Sequence, residues 1–173
     1  MKKDNDYFNM NEKTDFEKLV SFNNEKQFFN ELYTTPEKHV YDASGMTNDD
    51  SPIAIELKSR NAVLTKEMTL SGHNFNDETV FIEDEKFTGL ILQHIVNGAI
   101  PLYINFLEDG HILVWNLTKL KRLPVHKTVV INYIQCTIVK LSPHSVIENL
   151  YYRDKFGRHF LNIINRPFFK RLS

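Results

Sequence analysis

The hexapeptide Ile53-Ala-Ile-Glu-Leu-Lys restricts the fold of this chain more than any other feature. Successive side chains of a β-strand point to opposite faces, so Ile53, Ile55 and Leu57 share one face and Ala54, Glu56 and Lys58 the other. The apolar face requires a covering layer of helix or sheet. A charged pair on the opposite face is ordinarily the solvated side of a strand. Placed beneath a second layer, however, a carboxylate and an ammonium must each be partnered or bind something.

The surrounding patterns place this strand in a mixed architecture. Residues 1–13 are polar and rich in Asn, Asp and Lys, and read as a poorly tied-down arm before a single domain over 14–173. Thr14 or Asp15 caps a helix in which Phe16, Leu19 and Val20 recur at helical spacing, and Phe28, Phe29, Leu32 and Tyr33 continue that pattern. Pro36 ends it. His39 to Ala43 is strand-like, and Ser44 to Pro52 is dense in turn residues, so Asp42 and the Ile53 strand are expected in a hairpin. Val80-Phe-Ile is short and apolar. Glu83-Asp84-Glu85 then opens a helix that carries Phe87, Leu90, Ile91, His94 and Ile95, with Gly98 as its natural cap. Asp109-Gly110 between two apolar runs signals a second hairpin. Val129 to Leu141 reads as one long or bent strand. The order predicts an α/β fold, a mixed sheet flanked by helices with additional C-terminal strands.

Composition narrows the function class. No apolar run is long enough to cross a membrane as a helix, and the N-terminus shows no secretory pattern. The lone Cys136 excludes an internal disulfide and a cysteine-based zinc cluster. Together these point to a reducing, cytoplasmic setting. The net charge of −1 hides an uneven distribution: residues 1–50 carry 11 acids and 6 bases, residues 51–173 carry 11 acids and 15 bases. The stretch from Tyr151 onward holds six bases and one acid, interleaved with aromatic residues. A basic face of this kind supplies phosphate contacts, although a hydrophobic patch that docks on the domain or on another subunit accounts for the aromatics equally. His39, His111, His126, His144 and His159 show no metal-ligand spacing, and no phosphate-binding glycine motif occurs.

Chemistry is carried by Asp42, thirteen intervening residues, and Glu56-Leu57-Lys58. Pairing of the two strands brings the Asp42 carboxylate beside Glu56. Two carboxylates and the Leu57 backbone carbonyl form an oxygen-rich site suited to a hard cation such as Mg²⁺ or Mn²⁺. Such an ion lowers the pKa of a bound water and neutralises charge on a phosphate, and Lys58 beside it can stabilise the transition state.

This pattern resembles the PD-(D/E)XK nuclease superfamily, and Ile55-Glu56-Leu57-Lys58-Ser59-Arg60 is similar to archaeal-type Holliday-junction resolvases and related small phage nucleases. The resemblance spans about residues 24–117, leaving 118–173 as an extension without counterpart. It departs from the family in having Tyr41 where a Pro is nominal before Asp42, and in a longer segment from Ala62 to Thr79. It implies a restriction-endonuclease-like fold and Mg²⁺- or Mn²⁺-dependent hydrolysis of DNA. Asp42, Glu56 and the Leu57 carbonyl would hold the metal and Lys58 would assist the water. Lys86 would enter from the following helix, and Glu25, with Glu31 and Glu17 as alternatives, from the preceding one. Arg60 and His73 are the residues expected to touch DNA, though a solvent-exposed arginine and a surface histidine are the plainer readings. A homodimer acting on branched or duplex DNA is the implied assembly. The alternative is a nuclease-fold protein without turnover that acts as a structural or partner-binding module.

Overall fold

The computed structural model describes residues 2–36, 39–65, 70–71, 80–120, 124–131, 134–141 and 148–151. Helix α1 (Lys2–Lys26) is followed by strands β1 (Phe29–Thr34), β2 (Ala43–Thr47) and β3 (Pro52–Arg60). Short strands β4 (Val63–Leu64), β5 (Leu70–Ser71) and β6 (Val80–Glu83) lead to α2 (Asp84–Asn97). Then come β7 (Ile100–Leu107), β8 (His111–Asn116), β9 (Val125–Ile131), β10 (Ile134–Leu141) and β11 (Glu148–Tyr151).

The main sheet has the order β1-β2-β3-β7-β8-β11, and β6-β10-β9 form a second sheet of three strands. All neighbours in the main sheet are antiparallel except β3 and β7, which run parallel with Glu56 opposite Tyr103 and Lys58 opposite Asn105. A parallel pair needs a crossover, and α2 lies within this one.

Period-2 alternation in the central strands sorts the interior into two layers. Ile53, Ile55 and Leu57 of β3, with Leu102, Ile104 and Phe106 of β7, pack against Leu19 and Phe22 of α1. Ala54 and Tyr103 face the other way, toward Leu90 of α2 and toward Val80, Ile82, Val139 and Leu141 of the smaller sheet. The sheet is therefore covered on both sides, which is why β3 and β7 are apolar on both faces save for a few polar residues.

Several expectations hold and several are corrected. Helix α2 begins after Glu83 and ends at Gly98, whose φ of 67° places it in the left-handed region, with its N–H bonded to the His94 carbonyl. The hairpin across Asp109-Gly110 joins β7 and β8. Residues 28–33, expected to be helical, instead lead into and form β1, because Asn23 bonds both the N–H and the C=O of Phe29 and turns the chain out of α1. The apolar residues of that stretch fit either period over so short a span. The helix itself starts at Lys2, so residues 2–13, read as an arm, have helical backbone, and Asp15 lies inside the helix instead of capping it. Strand β2 occupies Ala43–Thr47, so it overlaps the expected strand only at Ala43, residues 39–42 are not in a strand, and the expected turn shrinks to residues 48–51. Gly45 permits this: a Cβ there would lie 2.0 Å from the Glu31 carbonyl oxygen of β1. The run 129–141 is not one strand but a part of the β9–β10 hairpin.

Candidate active site

Strand β3 outruns its neighbour, and the site is built on that overhang. Pairing with β2 ends where Ala43 meets Ile55, after which Asp42 N–H still bonds the Ile55 carbonyl at 2.9 Å. Backbone N–H groups beyond that point face an open edge and need acceptors. Two carboxylates provide them. Asp42 Oδ2 accepts the Leu57 N–H at 2.8 Å, and Asp15 Oδ2 accepts the Ser59 N–H at 3.0 Å. The Leu57 carbonyl points to the same edge as its N–H, because both backbone polar groups of one strand residue lie on one side.

Glu56 and Lys58 lie on the α2 face of β3. Glu56 is buried, whereas Lys58 is exposed. The two border a small recess with Arg60, Phe81, Glu83 and Tyr103. Helix α2 sends Lys86 into the site, with Nζ 3.1 Å from Glu56 Oε2, 3.4 Å from Asp42 Oδ1 and 3.4 Å from the His39 carbonyl. Gly89, one turn further along α2, makes the approach possible: a Cβ there would stand 2.7 Å from Val40 Cβ, so a side chain would hold the segment ahead of Asp42 away from the helix.

Electrostatics follow from this crowding. Burial, reinforced by the neighbouring Asp42 carboxylate, raises the Glu56 pKa from 4.5 to about 8 against the opposing pull of Lys86. Burial by itself would lower the Lys86 pKa, but the Glu56 and Asp42 carboxylates outweigh it and the net shift is upward. A buried acid held mostly neutral, with a second acid and a cation beside it, is the kind of concentrated charge found at functional sites.

Of the residues singled out in the sequence, Asp42, Glu56, Leu57 and Lys86 converge here, and Lys58 stands at the margin. Glu25 does not join them; it pairs with Lys26 at 2.9 Å, at the far end of α1. Glu31 lies on β1 and accepts from the Tyr33 hydroxyl, and Glu17 is exposed. The α1 acid that reaches β3 is Asp15, 7% exposed and bound to Ser59 by both carboxylate oxygens, at 3.0 Å from the N–H and 2.5 Å from the hydroxyl. Its sequence signal was the spacing Asp15, Leu19, Phe22, which puts it on the buried stripe of the helix.

Arg60 is not available to touch DNA. It is 6% exposed, donates Nε to Asn105 Oδ1 at 2.5 Å and Nη2 to the Tyr103 hydroxyl at 2.7 Å and to the Phe81 carbonyl, and lies over the Phe81 ring. It ties β3 to β6 and β7 behind the site, where the expectation had been either a phosphate contact or a solvated side chain. His94, grouped by its spacing with the apolar residues of α2, is exposed and bonds the Ala99 carbonyl at the end of the helix. His73 and the basic stretch beyond Tyr151 lie outside the described residues.

The donor set suits a hard cation in kind. Mg²⁺ is commonly held by one or two carboxylates with water and substrate completing the shell, and Asp42 and Glu56 flank one point beside the β3 edge that carries the Leu57 carbonyl. The Lys86 ammonium lies between the two carboxylates, at the position a divalent ion would share. Among the described residues no group of three or more acidic, histidine or cysteine side chains converges for a metal.

The fold is a mixed α/β sheet with helices on both faces. No family model matches the sequence, and no curated protein matches it. Among solved structures the chain is similar to Hjc of Archaeoglobus fulgidus, a Holliday junction resolvase from an archaeal hyperthermophile, with 14% identity and a TM-score of 0.49 over 80% of this chain and 89% of that one. No helix among the described residues is long and apolar enough to cross a membrane.

Proposed function

We propose that this protein is a nuclease that hydrolyses DNA phosphodiesters with Mg²⁺ or Mn²⁺, acting on branched or duplex DNA as a homodimer. The observation that carries the reading is the convergence of Asp42 and Glu56 with the Leu57 carbonyl on an open strand edge, with Lys58 exposed beside them. Asp42, Glu56 and the Leu57 carbonyl would hold the ion, which when bound supplies an activated water and neutralises charge on the phosphate. Asp42 is fixed for this by the Leu57 N–H, so its orientation does not have to be found on binding. Glu56 must give up its proton before it can serve as a ligand, so loading is favoured at higher pH. Lys58, exposed at the margin, reaches toward a phosphate oxygen and stabilises the developing charge. Lys86 holds the two carboxylates together, and with an ion bound it would supply a cation for the phosphate. Asp15 anchors the end of β3, which keeps Lys58 in position.

A second reading has a specific observation in its favour. The salt bridges from Lys86 to both carboxylates satisfy them without metal, as expected of a nuclease fold kept as a partner-binding module.

The deciding experiment incubates the protein with labelled four-way junction, flap, duplex and single-stranded DNA, in Mg²⁺, Mn²⁺ or EDTA, beside Glu56→Ala and Lys58→Ala. Metal-dependent cutting, lost in Glu56→Ala and reduced about a hundredfold or more in Lys58→Ala, supports the nuclease reading. A folded protein that cuts nothing supports the second.

A further inference from the structure

The segment that leads into Asp42 is tied down by several bonds. Thr35 N–H donates to the Asp42 carbonyl at 3.1 Å, the Thr35 hydroxyl donates to the Tyr41 carbonyl, and His39 N–H donates to the Pro36 carbonyl at 3.2 Å. Val40 lies against Gly89 of α2. The His39 carbonyl accepts from Lys86 Nζ at 3.4 Å, so residue 39 stands one ammonium away from both Asp42 and Glu56. Its side chain is exposed and meets Tyr41, with ring centres 4.4 Å apart and planes at 76°. Tyr41 in turn packs against the core cluster that holds Leu90 of α2.

This placement meets a need that the other residues of the site leave open. A departing alkoxide is a strong base, and a positioned proton donor speeds its release. Asp42 and Glu56 serve as ionised ligands in the proposed reading. The Lys86 ammonium is shared by those two carboxylates, which favour its charged form. A histidine gives up and regains a proton near neutral pH. Among the other described histidines, His126 pairs with Asp84 at 2.9 Å, His111 pairs with Asp109 at 3.0 Å, and His94 lies in the last turn of α2. Of the described histidines only His39 adjoins the carboxylate pair. In-line displacement puts the attacking and leaving oxygens on opposite sides of phosphorus. Lys58 flanks the pair from β3 and His39 flanks it from the segment ahead of β2, so each can serve one side.

We propose that His39 is a catalytic residue whose imidazolium protonates the leaving oxygen of the phosphodiester. This rests on the proposed nuclease reading and adds a general acid to it. The water oxygen bonds to phosphorus as the bond from phosphorus to the bridging oxygen breaks. The electron pair of that bond goes to the bridging oxygen, which takes the imidazolium proton. The proton lost by the water goes to solvent, and the neutral imidazole regains one from solvent. Lys86, through the His39 carbonyl, and Tyr41, through the ring, hold the donor in place.

The test compares ordinary DNA with DNA that carries sulfur in place of the bridging oxygen that leaves, O3′ or O5′ as the wild-type products show. A thiolate departs without a proton. With Mn²⁺ and saturating DNA, His39→Ala and, independently, His39→Gln cut the ordinary strand about a hundredfold or more slowly. On the sulfur strand both stay within about threefold of wild type, and KM moves little on either. Fluorescence anisotropy in EDTA reads binding without cutting, and the variants bind DNA within about twofold of wild type. Full activity of His39→Ala on ordinary DNA, an equal loss on both strands, or a loss accounted for by weaker binding overturns the inference and leaves the nuclease reading standing. A wild type that cuts neither strand removes the nuclease reading and this inference with it.

Discussion

Glu56→Gln isolates the electrostatic heart of the site. In the unfolded chain Glu56 titrates near the ordinary 4.5, whereas in the fold it titrates near 8. Between those values the folded state binds one proton more than the unfolded state, so stability is fully present below about 4.5 and falls as pH rises through about 8. The slope for one group is about −1.4 kcal/mol per pH unit. Across the whole window this gives a ceiling of roughly 4–5 kcal/mol. Water at the open edge of β3 screens the charges and lowers that ceiling to a few kcal/mol. The glutamine side chain of the variant cannot ionise, keeps the shape of the neutral acid and lacks this slope. Urea unfolding of both proteins in EDTA at pH 5, 6, 7, 8 and 9 reads the difference directly. Stability of the variant relative to wild type is expected to climb by about 1 kcal/mol per unit between pH 5 and 8 and then level off. Parallel curves for the two proteins would refute the claim that burial and Asp42 hold Glu56 neutral. Repeating the series with Mn²⁺ adds a second reading, because an ion held by Glu56 favours the ionised form and flattens the wild-type slope.

Arg60→Met removes a buried guanidinium and takes a donor from Asn105 and Tyr103, while the Phe81 carbonyl keeps the Tyr103 hydroxyl; unfolding free energy should drop by about 2–4 kcal/mol in thermal or urea melts. Gly45→Ala forces a Cβ into the Glu31 carbonyl, which should cost about 2–3 kcal/mol and expose β1 to amide exchange before the rest of the sheet. Asp15→Ala leaves the Ser59 N–H and Lys18 without their shared acceptor. It should cost about 1–3 kcal/mol, and Asp15→Asn, which keeps an acceptor oxygen, should recover part of that loss in the same melts.

What the sequence disclosed and what it hid divide along the range of the interactions. Helix α2 with its Gly98 cap and the β7–β8 hairpin are specified by residues within a few positions of one another, so periodicity and turn chemistry found them. The β3 alternation likewise revealed the shared face of Glu56 and Lys58. Strand β1 was missed because Phe28, Phe29, Leu32 and Tyr33 fit a helical repeat over so short a span. The contact that overrides it, Asn23 to Phe29, is a side-chain turn invisible to hydrophobic pattern. The acid from α1 was missed for a related reason. Glu25 lies near the start of β1 in sequence, but a helix of 25 residues carries its C-terminal end far from the end of β3. Asp15 instead shares the buried stripe of Leu19 and Phe22 and meets the last free N–H of β3. Arg60 shows the converse: a charge at a strand end looks solvated until a second layer covers it, and here β6 closes over the guanidinium. A search for the residues that matter at a strand overhang should therefore ask which acceptors satisfy its exposed N–H groups. On β3 that question leads to Asp42, just ahead of the neighbouring strand, and to Asp15 from the covering helix.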